Sequence, residues 1–193
     1  VEAAFRKYKD AGGEQILAAG VMQLCEDMGV SPSDVSLLVL AWHFQARRMC
    51  EFSRAEWTAG MASLGCDSVA KLGAKLPALR ASLSVDTTFR AVYAFAFAFA
   101  LEEGAKALMA DTALALWLLL LPGQWALGQA WCDFIADQKH LKVVSKDTWA
   151  QLLQFSRTVK ADLSNYDPEG AWPSIIDDFA EQLAAKAAQE TAT

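Results

Sequence analysis

The sequence predicts an all-α protein, a compact helical domain built from helix–loop–helix units and followed by a C-terminal helical lobe. Three observations carry that reading. Apolar residues recur at helical spacing along most of the chain, helix start and stop signals separate the periodic segments, and hydrophobic residues make up 54 % of the 193, enough for a sizeable core. No hairpin signal interrupts the pattern.

The chain opens at Val1 with VEAAFRKYK, a helical pattern without an initiator Met, as expected of a fragment whose native N-terminal extension is missing. Val21, Leu24, Cys25 and Met28 share one helix face, and Gly29 stops that helix. Ser31-Pro32-Ser33-Asp34 reads as an N-cap, a Pro at the first helical position and an acid in the first turn. The helix that follows carries Leu37, Leu40, Ala41 and Phe44 on one side. Ser53-Arg54-Ala55-Glu56 is a capping box. Asp67 or Ser68 caps a short helix ending at Leu76.

From Phe89 to Ala100, aromatic residues alternate with Ala, a period of two that suggests a strand. Ala is the best helix former and a poor strand former, so a buried helix with aromatics on several sides is expected. Ala113–Pro122 is the most apolar run, but it has about half of the roughly 20 residues a membrane-spanning helix needs. It reads as a core helix. A further helix runs from Trp149, capped near Ser145. Asp167-Pro168-Glu169-Gly170 is a turn. Pro173 suits the first turn of a last helix, with Ile176, Phe179 and Leu183 inward and Asp177 outward. Residues 184–193 are expected to fray.

Charge is uneven. The net charge of −6 argues against nucleic acid as a partner, and eight acids against four bases from Ser145 onward place −4 of it in the last quarter. Such a patch is usually a solvated face, and it can also steer a basic protein. Cys25, Cys50, Cys66 and Cys132 are scattered without a CxxC pair, which suits reduced thiols in the nucleus and cytoplasm.

Site chemistry is sparse. The two histidines, His43 and His140, lie in no metal-ligand spacing, and no cofactor is expected. The loop Tyr8–Ile16 faintly resembles an EF-hand loop, yet Ala11, Gly12 and Gly13 offer no side-chain oxygens and Val21 stands where the final acid belongs. Calcium is therefore not expected. His43 and Cys50 could form a nucleophile pair, but no orienting third group accompanies them. Asp177 and Asp178 are adjacent and diverge by about 100° on a helix, so they cannot act as a catalytic dyad.

The segment KDTWAQLLQFSRTVKADLSNYDPEGAWPSIIDDF, Lys146 to Phe179, resembles the defective-in-cullin-neddylation family and its potentiating-neddylation domain. SNYDPEGAWPSIIDDF is the most specific run. YKD at Tyr8–Asp10, AWHF at Ala41–Phe44, CEFSRAEW at Cys50–Trp57, LGCDS at Leu64–Ser68 and FRAVYAFAFAFA at Phe89–Ala100 agree, and the likeness spans about residues 5–183. It implies one domain over residues 1–183, with an N-terminal lobe of EF-hand-like units that bind no calcium (about 1–85) and a C-terminal cullin-docking lobe (about 86–183).

The resemblance implies a non-catalytic, monomeric scaffold co-ligase. Such a protein holds a cullin winged-helix domain with its RING-box subunit near an N-terminally acetylated conjugating enzyme. It thereby promotes transfer of a ubiquitin-like modifier to a cullin lysine. The family's cullin-docking motif falls on Asp147, Ala171 and Asp177. Its pocket for an acetylated Met falls on Val21, Leu37, Leu40, Ala41, Phe44, Phe52, Phe99 and Leu119, with Cys50 nearby. Ala19, Met22, Met49 and Leu116 depart from the family's polar residues at the pocket rim. A helical adaptor with other clients is the competing reading, and a calcium sensor and a cysteine hydrolase stand behind it.

Overall fold

The computed structural model describes residues 1–191, and the chain divides into two units that meet in sequence at Ala100 and Leu101. The expected all-helical class holds: ten helices are joined by four strands of two or three residues among the described residues.

The first unit contains α1 (Glu2–Tyr8), β1 (Gln15–Ile16), α2 (Ala18–Met28), α3 (Val35–Phe44), β2 (Phe52–Ser53), α4 (Arg54–Ser63), α5 (Val69–Ser82) and α6 (Asp86–Phe99). Its centre is α3, which packs against α4, α5 and α6. The sequence VSLLVLAWHF explains this: Leu38, Val39, Leu40, Ala41 and Phe44 are all buried, so the helix is apolar on most of its circumference. Ser36 is also buried, and its hydroxyl donates to Oδ1 of Asp34 at 2.6 Å. Asp34 is itself the N-cap, accepting from the Ser36 amide at 2.8 Å. Residues 31–34 thus form a turn that precedes the helix, and the cap falls three residues later than the Ser-Pro signal suggests.

Two helix–loop–helix units, α1–α2 and α3–α4, are bridged through their loops. β1 pairs antiparallel with β2, Gln15 opposite Ser53 and Ile16 opposite Phe52. These strands are a departure from the sequence reading. Their partners lie far apart in the chain, so no local hairpin signal announces them. The loop after α1 is closed by its own contacts. The Asp10 amide donates to the Gln15 carbonyl at 2.8 Å, and the Lys9 ammonium donates to the Gly13 carbonyl at 2.9 Å. Among the described residues no group of three or more His, Cys, Asp or Glu is placed to hold a metal ion.

Several local signals are realised directly. Gly29 adopts φ 67° and ends α2. Ser53 and Glu56 form the reciprocal capping box of α4. Ser68 caps α5, which runs past Pro77 to Ser82 because Leu76 and Leu79 remain buried on its inner face. The alternating segment is helical as α6, with Phe89, Val92, Tyr93 and Ala96 fully buried. Because α6 packs against α3, the division between units falls after residue 100 and not near residue 85.

The second unit contains β3 (Ala107–Met109), α7 (Ala110–Leu120), α8 (Gly128–Asp137), β4 (Val143–Ser145), α9 (Lys146–Thr158) and α10 (Ser174–Thr191). β3 and β4 pair antiparallel, Leu108 opposite Val144. The apolar run is α7, with Ala113, Leu116, Trp117 and Leu120 buried. No helix among the described residues is long and apolar enough to cross a membrane. α8 is absent from the sequence reading, although Trp131, Phe134 and Ile135 are buried at helical spacing. α10 continues through residues 184–191, where fraying was expected, since its Ala, Gln and Lys residues favour the helix. Residues 192 and 193 of the expected frayed end lie outside the described residues.

Gly60 is where α4 meets α3. A Cβ there would stand 2.1 Å from Cδ1 of Phe44. Alanine gains up to about 1 kcal/mol of helix preference over glycine, but overpacking a core costs about 1–3 kcal/mol. Gly60→Ala is expected to lower Tm in thermal unfolding followed by circular dichroism. An equal or higher Tm would show that Phe44 can move aside without cost.

Candidate functional site

The acidic surface is assembled on the second unit. Ser145 ends β4 and caps α9, its hydroxyl accepting from the Thr148 amide at 3.0 Å. Asp147 then lies in the first turn of α9, exposed. Asp177 lies in the first turn of α10, half-buried. Both carboxylates thus sit at the positive end of a helix dipole, which favours their charge. Neither forms an ion pair among the described residues.

Ala171 lies exposed in the segment between these helices. That segment is held by its own polar groups. The Asn165 side chain accepts from the Lys160 amide at 2.7 Å and donates to the Thr158 carbonyl at 2.8 Å. It closes the C-terminal end of α9. Asp167 accepts from the Glu169 amide through its side chain and from the Gly170 amide through its carbonyl, both at 3.0 Å, which builds the expected Asp-Pro-Glu-Gly turn. The ring of Trp172 then meets Phe155 of α9 edge to face at 5.4 Å. Ala171 is fixed by its neighbour.

Asp177 does not simply point outward. Its Oδ1 accepts a hydrogen bond of 2.5 Å from the Tyr166 hydroxyl. The Tyr166 ring also packs edge to face on Phe155 at 6.1 Å. Burial, followed by the bond to Asp177 and by nearby negative charge, pushes the Tyr166 phenol well above its ordinary value. The phenol is therefore a donor at neutral pH. Stability from this bond is complete below about pH 10 and is lost only as pH rises through the raised value. Tyr166 carries no role in the sequence reading, because the bond spans eleven residues around a turn.

The apolar residues are distributed differently. Leu40, Ala41, Phe44 and Phe52 are buried in the first unit, and the Phe44 and Phe52 rings meet edge to face at 5.3 Å. Val21 of α2 and Leu37 of α3 are half-buried and offer surface. Phe99 is half-buried and stacks on Phe95 at 5.0 Å. Leu119, half-buried, belongs to α7 of the second unit. Cys50 is exposed on a backbone with φ 59°, in the left-handed region. Of the expected rim residues, Ala19, Met22 and Met49 are exposed, whereas Leu116 is buried in the core of the second unit.

Little supports covalent chemistry here. His43 packs edge-on against Trp42 at 4.7 Å, burial lowers its pKa, and no hydrogen bond joins it to Cys50 among the described residues. Burial raises the thiol of Cys132 to about 11 and also raises that of Cys25, which disfavours the reactive thiolate at both.

Asn165→Ala removes two hydrogen bonds from the α9–α10 segment. A loss of about 1–2 kcal/mol is expected in urea unfolding, and unchanged stability would show that solvent replaces both bonds.

Comparison with known proteins gives this surface a context. The family described as "Cullin binding" matches residues 71–182. The chain is 41 % identical over 175 residues to DCN1-like protein 5 of Homo sapiens, covering 90 % of this chain and 73 % of that protein. It is 43 % identical over 175 residues to DCN1-like protein 4 of Danio rerio, covering 90 % and 62 %. It is 40 % identical over 174 residues to DCN1-like protein 4 of Drosophila melanogaster, covering 90 % and 70 %. The match covers all three acidic-surface positions, and on these grounds the chain belongs to the cullin-binding family.

Proposed function

We propose that this chain is a non-catalytic scaffold for neddylation, docking a cullin through Asp147, Ala171 and Asp177. The observation that carries the reading is the pair of carboxylates at two helix N-termini, without ion-pair partners among the described residues, in a member of a cullin-binding family. The basic groups of a cullin winged-helix domain, presented with the RING-box subunit, would pair with them. The small side chain of Ala171 permits close approach. Charge steers the encounter, and desolvated pairs fix the register.

The second partner is a conjugating enzyme with an acetylated N-terminal Met, received by the apolar residues of the first unit around Val21 and Leu37. A free α-amine, with a pKa near 8, is mostly charged at neutral pH, and burying that charge unpaired is costly. An acetyl amide can instead hydrogen-bond to backbone. Held by one protein, the two partners gain effective concentration and restricted orientation. The scaffold acts as a monomer in the nucleus and cytoplasm.

Asp177→Lys is expected to abolish binding to a cullin C-terminal domain in calorimetric titration, and unchanged affinity would defeat the assignment. A peptide carrying acetyl-Met should bind much more tightly than the same peptide with a free amine, and equal affinities would remove the pocket from the proposal. In a reconstituted assay, added protein should speed transfer to cullin without changing the charging of the conjugating enzyme.

A further inference from the structure

Asp177 is held differently from Asp147. The Asp147 carboxylate is exposed, with no hydrogen bond or ion pair among the described residues, whereas Asp177 has one oxygen occupied. The Tyr166 hydroxyl donates to Oδ1, and Oδ2 has no partner among the described residues. Tyr166 is itself immobilised from three sides. Its ring lies on Phe155, its amide donates to the Leu163 carbonyl at 3.0 Å, and Asn165 before it is tied to both Thr158 and Lys160. Leu163 adopts φ 58° to make that turn.

We propose that Tyr166 is a positioning residue for partner recognition: its hydroxyl fixes the Asp177 carboxylate in one rotamer and leaves Oδ2 to accept from a basic group of the bound cullin. This deepens the acidic-surface reading above and rests on it. The physical gain is preorganisation. A free carboxylate on a helix surface samples several rotamers and loses that freedom on binding, whereas one held by a half-buried, packed phenol has already lost it. A phenol is also a neutral donor. It orients the carboxylate without cancelling the charge that attracts the partner, as a lysine or arginine in its place would. Burial and the adjoining negative charge keep that phenol protonated at neutral pH.

The test is a double-mutant cycle on the full chain, with Tyr166→Phe, Asp177→Asn and their combination, titrated into a cullin C-terminal domain by calorimetry at two salt concentrations. Tyr166→Phe keeps the ring on Phe155 and removes only the donor. Thermal unfolding of each variant verifies that it is folded. The expected result is an affinity reduced about three- to tenfold by Tyr166→Phe, the scale of one net intramolecular hydrogen bond, and no further reduction when it is added to Asp177→Asn. Salt dependence should be unchanged in Tyr166→Phe, where no charge is lost, and shallower in Asp177→Asn.

Two results overturn the positioning role while leaving the acidic surface standing. One is wild-type affinity in Tyr166→Phe while Asp177→Asn is weakened. The other is an equal loss from Tyr166→Phe in both backgrounds, which is a structural effect. Wild-type affinity in Asp177→Asn and in Asp177→Lys would overturn both readings.

Discussion

The second unit depends on one continuous aromatic cluster. Trp117 of α7 stacks on Trp149 of α9 at 5.2 Å and meets Trp131 of α8 edge to face at 5.2 Å. Trp131 in turn meets Phe179 of α10 at 5.2 Å, and Trp125 joins Phe179 to Phe155. Each such pair is worth about 0.5–1.5 kcal/mol beyond the area it buries, and their geometry is directional. The cluster therefore sets the positions of four helices. It also holds the segments that carry Asp147, Ala171 and Asp177, because each lies within two residues of one of its rings in sequence. Asp147 is two residues before Trp149, Ala171 directly precedes Trp172, and Asp177 is two residues before Phe179.

The first unit uses a different constraint. Its organiser is an almost wholly apolar helix, α3, together with a two-residue ladder that ties two loops. Ion pairs then fasten its periphery: Arg54 reaches both Glu2 and Glu14, and Arg80 reaches Asp34. These are largely exposed contacts, so their net worth is small. Their consequence lies in charge. Arg54 and Arg80 of the first unit are paired at its surface, while Asp147 and Asp177 have no ion pair among the described residues. The surplus negative charge noticed in the composition is thus presented by particular residues.

Much of this was legible because the signals are local. The Ser53–Glu56 box, the Ser68 and Ser145 caps, the Gly29 stop and the Asp167–Gly170 turn each act over four residues or fewer, and each forms where it was read. The alternating aromatics were resolved correctly by weighing alanine's helix preference against the period of two. The misplacements share a cause. Asp34 takes the cap from Ser31 because it also satisfies a buried serine, and α5 passes Pro77 because leucines beyond it reach the core. Neither burial is visible in a short window.

The sequence by itself determined the helical class, the caps and turns, and the acidic excess, since spacing, propensity and composition are properties of the chain read in order. Only the tertiary structure decided which loops pair, which apolar residues are core and which offer surface, and that Asp177 shares its carboxylate with Tyr166. Those facts join residues distant in the chain. Their energy comes from burial and from hydrogen bonds that exist only after the chain has closed upon itself.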